Sequence, residues 1–204
     1  MPRAGLTPDL LVQEAVALLE DDDAQALTLS ALARRCGITT AGIYAHVRGL
    51  ADLRERVAAA CLSESADRVG AAIAGRAGAP ALHAFADAYR DYARAHPGRY
   101  DATRWPVTDP ASPAVPAGRR HAELARAVLR AHDLPEPALT HAVRLLGSTI
   151  HGFLALEASG SFDHSPPAAA ESWSAILDAL AATVTAWGQS QPAGAASSGN
   201  TRSQ

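Results

Sequence analysis

Two small residues four apart, Ala33 and Gly37, do most to limit what this chain can become. Leu29, Leu32, Ala33 and Cys36 share one helical face, and Ile38, Ile43 and Val47 can meet it from a second short helix beyond Gly37. Ala33 allows the two helices to approach closely, and Gly37 takes the positive φ that a tight turn needs. The pattern predicts a helix-turn-helix whose second helix is free to enter a DNA major groove. Thr39, Thr40, Gly42, Tyr44 and His46 are left pointing outward or to the flanks. Hydroxyls and amides suit phosphate oxygens, and a Thr methyl or an imidazole suits base edges. An αα-hairpin with a merely solvated polar face would share this spacing, so the residues alone leave both readings open.

Charge sharpens the choice. The 204 residues carry 18 basic side chains, all Arg, against 21 acids, for a formal charge of -3. Net charge therefore gives no reason to expect a nucleic-acid partner, and only a local patch could. Arg34, Arg35 and Arg48 provide one on both sides of the second helix.

The rest of the chain predicts an all-α protein of about nine helices. Its 48% hydrophobic content is dominated by Ala, with 5% aromatics and few β-branched runs. Thr7 caps a helix that opens with Pro8 and runs to Glu20, ended by Asp21–Asp23. Short helices follow at 30–35, capped by Thr28 or Ser30, and at 40–47, capped by Thr39. A long helix spans about 50 to 73. Residues 1–50 form the expected DNA-reading domain, the run 74–80 is the joint, and 78–188 form a second domain. That part predicts helices over 81–96, 99–105, 119–132, 136–159 and 168–187. Pro106–Gly118, with four prolines, is expected to be a loop able to roof a cavity. Residues 189–204 have nothing to bury and are expected to be a disordered tail.

Cys36 and Cys61 are too few for a disulfide framework and point to a reducing, cytoplasmic setting. The N-terminal residues lack the apolar run of a signal peptide, and no window reaches the length of a membrane span. His121, His132, His141 and His151 lack the i, i+3 or i, i+4 spacing of a helical zinc site. No Gly-rich phosphate loop or nucleophile elbow occurs. Neither an enzyme nor a cofactor is expected.

At Leu27–Ala58 the sequence LTLSALARRCGITTAGIYAHVRGLADLRERVA resembles the DNA-binding domain of TetR-family bacterial transcriptional regulators. Leu32, Ala33, Gly37, Ile38, Thr39, Ile43, Tyr44 and His46 fall in step with that pattern. The resemblance implies Thr28, Arg34, Thr39, Thr40, Gly42, Tyr44, His46 and Arg48 as DNA-facing residues, with Tyr44 on phosphate. Two positions depart from it. Val47 stands where the family usually has Phe, and Leu50 where many members have a phosphate-contacting Lys; Arg48 or the amide of Gly49 is then left to serve instead.

Residues His141–Phe162, with the earlier AHPGRY, resemble the WHG-type C-terminal domain of part of that family, although Gly147 stands at its Trp position. This implies a homodimer that binds a palindromic operator as a repressor and is released by a small-molecule effector. Alternatives are an activator of the same family and a helical partner-binding protein without DNA binding. Between Pro137 and Gly160 only Arg144 and Glu157 are charged, so that helix needs cover on more than one face, which a second subunit could supply. Arg144, Ser148, His151, Gly152, Trp173, Leu177 and Leu180 are the expected dimer contacts. Tyr89, Tyr92, Tyr100, Trp105, His151 and Phe153 are the candidates for lining an effector cavity.

Overall fold

The computed structural model describes residues 6–20 and 27–190. Among them are nine α-helices and no strand: α1 Pro8–Leu18, α2 Leu29–Cys36, α3 Thr40–Ile43, α4 Leu50–Ile73, α5 Gly78–Ala95, α6 Pro97–Ala102, α7 Ala114–Leu129, α8 Ala138–Ala158 and α9 Ala169–Ser190. A 3-10 turn, Arg130–His132, follows α7. The expected stop of α1 at Asp21–Asp23 and the tail from 191 onward lie outside the described residues. Gln189 and Ser190 still belong to α9, so that helix outruns its expected end.

Caps set the starts of the first three helices. Thr7 Oγ1 accepts from Leu10 N–H at 3.2 Å, Thr28 Oγ1 from Ala31 N–H at 3.1 Å, and Thr39 Oγ1 from Gly42 N–H at 3.2 Å. Gly37 closes α2 with φ of 69°, in the left-handed region that the turn requires. The expected helix over 40–47 is shorter than predicted: after Ile43 the chain tightens, with His46 N–H donating to Ile43 C=O. The reason is the sharp return that follows, at Gly49, whose φ is 148°.

The Pro-rich segment is corrected in the same way. It stays irregular only to Pro113, and α7 begins at Ala114, whose N–H donates to the Ser112 hydroxyl at 3.2 Å. Pro116 falls in the first turn of α7, where its missing N–H has no helical partner to lose.

The chain divides into two compact units. One takes the chain up to Ala74 together with Ala84–Ala125; the other takes Gly75–His83 and the chain from Arg126 onward. The units thus cut across the boundary expected near 74–80. In the first, α1, α2, α3 and α4 enclose Leu11, Leu32, Ile43, Leu53 and Val57, each fully buried. Each such side chain contributes about 1.5–3 kcal/mol by leaving water. In the second, α8 and α9 pack through Leu146, Ile150, Phe153, Trp173 and Leu177. No helix among the described residues is long and apolar enough to cross a membrane.

Candidate nucleic-acid interface

The α2–α3 pair presents its apolar side inward and its polar side outward. Leu32, Ala33, Ile43 and Val47 are buried, whereas Arg34, Thr40, Ala41 and Tyr44 are exposed. Tyr44 is 58% exposed, a large aromatic side chain left mostly uncovered. Arg35 leaves the outward set, because its Nε pairs with Glu14 at 2.8 Å and ties α2 to α1.

Thr28 and Thr39 are helix caps first, and any outward contact they make uses the hydroxyl proton left over. Gly42 does not offer a free amide, since its N–H is already given to Thr39 Oγ1. A Cβ on Gly42 would sit 3.4 Å from Ile38 Cδ1, in contact with that side chain. His46 is half-buried at the end of the same turn, beside Val47.

Arg48 stands at the return into α4 with its side chain 77% exposed. Its backbone N–H donates to Asp52 Oδ2 at 2.9 Å, and its guanidinium reaches Asp52 Oδ1 at 3.3 Å. Asp52 lies three residues past Gly49 and reaches back to the turn as an acidic cap does. Burial pushes the Asp52 carboxyl up, but the Arg48 N–H and the Arg56 and Arg48 guanidinium groups outweigh it and hold it below the usual range. Leu50 is turned inward against the first unit's core.

Residues 82–180 match the family described as "Tetracyclin repressor-like, C-terminal domain". A relative from Mycobacterium tuberculosis, "Uncharacterized HTH-type transcriptional regulator Rv0681", is 34% identical over 161 residues, 78% of this chain and 74% of that protein. The chain belongs to the TetR family of transcriptional regulators. Solved TetR-type structures share its fold. "Transcriptional regulator SCO7222, a TetR from Streptomyces coelicolor", matches with a TM-score of 0.68 and 22% identity, over 89% of this chain and 99% of that one. BioQ, solved "with its natural double-stranded DNA operator", matches with a TM-score of 0.68 and 21% identity, over 89% and 99%.

In this TetR-family chain the expected effector residues fall in different units. Tyr89, Tyr92, Tyr100 and Trp105 are in the first, His151 and Phe153 in the second. Tyr92 is 1% exposed, and its hydroxyl lies 3.4 Å from both the Cys61 carbonyl and a Glu64 carboxylate oxygen. Phe153 packs against Phe162 and Trp173, with ring centroids 4.8 and 4.9 Å away. Both are packed in the core of their own unit. Tyr100 is buried beneath the Arg104 guanidinium, 4.9 Å from its ring, and burial pushes its hydroxyl up to about 12. His151 is half-buried on α8.

Trp105 is half-buried under Arg54, 5.6 Å from its ring centroid. With Leu50, Ala51, Glu55, Pro106 and Thr108 it lines a groove of about 430 Å³.

Tyr89 meets His121, 32 residues along the chain. Its hydroxyl bonds His121 Nδ1, while His121 Nε2 lies 2.9 Å from the Leu62 carbonyl. A carbonyl can only accept, so Nε2 carries the proton and Nδ1 accepts from Tyr89. Burial lowers the His121 pKa, against the Leu62 bond that raises it, and Arg120 lowers it further. Ser65, on the same α4, is 1% exposed, and its hydroxyl has no partner among the described residues.

The expected dimer contacts also separate. Arg144, Ser148 and Gly152 follow one another at helical spacing on the exposed side of α8. Trp173, Leu177 and Leu180 are 2%, 1% and 5% exposed within their own unit. They are covered within their own unit, and the residues exposed on α9 include Ala175, Ile176, Asp178, Ala179, Ala182 and Ala186.

Proposed function

We propose that the chain is a homodimeric repressor that grips a palindromic operator with two α2–α3 heads and lets go when a small molecule binds. The observation that carries the reading is the exposed edge formed by Arg34, Thr40, Tyr44 and Arg48 around an otherwise well-packed helix-turn-helix. Two such heads on a two-fold axis would read half-sites one helical turn apart. The exposed small-residue faces of α8 and α9, with Leu156 50% and Ile176 36% exposed, support pairing between subunits. For the effector, Ser65, Tyr89 and His121 are among the polar groups inside the first unit, and the Ser65 hydroxyl has no partner among the described residues.

Footprinting on the DNA upstream of the chain's own reading frame tests the proposal. A protected palindrome, lost on Tyr44→Ala with an unchanged thermal midpoint, is the expected result. Protection that survives Tyr44→Ala undiminished removes Tyr44 from the interface, and no protected site on any flanking promoter overturns the repressor reading.

A further inference from the structure

We propose that Asp109 competes with the DNA backbone for Arg48, so that the segment between α6 and α7 sets how much of that arginine's charge an operator can use. The inference rests on the α3–α4 return being a DNA-facing edge. The Arg48 guanidinium lies 3.7 Å from Asp109 Oδ2. Asp52, its other partner, takes the Arg48 backbone N–H and, at 3.2 Å, the Arg56 Nε–H on Oδ2, and meets the same guanidinium through Oδ1 at 3.3 Å. Asp52 shapes the turn. Asp109 arrives from elsewhere.

The Asp109 carboxylate is aimed rather than loose. Its Oδ1 accepts from Ala111 N–H at 2.8 Å, which leaves Oδ2 directed at Arg48. The segment that carries it is fastened to α4 through Glu55, a carboxylate only 8% exposed. Glu55 Oε1 accepts from Thr108 N–H at 3.4 Å, Thr108 Oγ1 at 3.3 Å and Asp109 N–H at 3.4 Å. The Ser112 hydroxyl also donates to Glu55 and, with the Thr108 and Asp109 bonds, holds its carboxyl below the usual range despite burial.

A guanidinium binds a phosphate and a carboxylate through the same donors, so the two are exclusive at close range. An exposed ion pair is weak, which makes the competition a graded setting of affinity and not a lock. Asp109 also places a negative charge beside any phosphate that Arg48 would meet, which adds to the same sign of effect. Whatever shifts the α6–α7 segment away from Arg48 therefore returns a cation to the DNA-facing edge.

The test is anisotropy of the full chain on the footprinted duplex, comparing wild type, Asp109→Asn, Arg48→Gln and the double variant. Asn keeps the oxygen that accepts from Ala111, so the local turn persists. Asp109→Asn is expected to bind about 3-fold tighter near 0.1 M salt, with a salt slope steeper by about one phosphate's worth. In the Arg48→Gln background the same change is expected to tighten binding clearly less, because only the carboxylate's repulsion of phosphate is then relieved. Unchanged affinity for Asp109→Asn overturns the proposal, as does equal tightening in both backgrounds, which would mark a general charge effect. Wild-type chain that binds no duplex overturns the DNA reading itself, a result distinct from either.

Discussion

Gly98 lies so close to the end of α1 that a Cβ built on it would stand 2.1 Å from the Leu19 carbonyl oxygen. The obstacle is backbone, which cannot swing away as a side chain can. The first turn of α6 thus seats directly on the C-terminus of α1, within one compact unit. Gly98→Ala is expected to lower stability by about 1–3 kcal/mol, the cost of forcing atoms into a filled site. Thermal unfolding measures it, and an unchanged midpoint would show that α6 can shift without cost.

Arg99, the next residue, bridges two acids: Glu20 at 2.6 Å and Glu64 at 3.0 Å. Burial pushes the Glu64 carboxyl up, but its bonds to Arg99 and Arg68 outweigh that and hold it below its ordinary 4.5. A carboxyl depressed in the fold stabilises above its unfolded pKa, and that contribution is lost as pH falls from about 4.5 downward. Arg99→Met is expected to lower stability at pH 7 and to flatten the decline below pH 4.5. Denaturant midpoints at pH 7 and pH 3.5 separate the two, and parallel curves would remove Glu64 from the acid response.

His121 gives a second window at higher pH. Burial holds it neutral, against the Leu62 bond that raises its pKa and together with Arg120, which lowers it. An imidazole whose pKa falls below its ordinary 6.5 on folding stabilises the fold above that value and loses the contribution as pH drops through it. His121→Gln keeps a donor for the Leu62 carbonyl and removes the titration. Thermal midpoints between pH 7 and pH 5 are expected to fall less steeply in the variant; identical slopes would exclude His121 as their source.

Gly152 on α8 has no atom from beyond its own stretch of helix within 4 Å of where a Cβ would stand. Gly152→Arg therefore fits the isolated chain and is expected to yield folded monomers by light scattering. Leu177→Ala, by contrast, opens a cavity in the core of its own unit and is expected to cost about 2–5 kcal/mol without changing the association state. A Gly152→Arg dimer would exclude the α8 face from pairing.

What could be read from the sequence is what neighbouring residues decide. The caps at Thr7, Thr28 and Thr39 bond three residues ahead, and the αL turn at Gly37 depends on one residue, so all four were legible. Asp52 reaches back only four residues to Arg48, and its place three past Gly49 could have signalled it. The Glu55 anchorage joins residues 54 apart, and Arg99 meets Glu20 across 79. No local pattern announces such pairs, because they depend on where the helices finally pack. Trp173, Leu177 and Leu180, buried within their own unit, illustrate a related point: an apolar stripe shows that a face is covered, not whether the cover comes from the same chain.

The four-residue α3 has a consequence for how such a head can evolve. A single turn has no stability of its own in water, because nucleating a helix outweighs the few bonds it forms. Its shape is borrowed from Ile43 and Val47, which are plugged into the core with Leu11, Leu32 and Leu53. Outward residues such as Thr40 and Tyr44 are therefore free to drift toward new base sequences while the scaffold stays fixed. A substitution beneath them would instead erode sequence preference and thermal endurance together, and the two losses would be inherited as one trait.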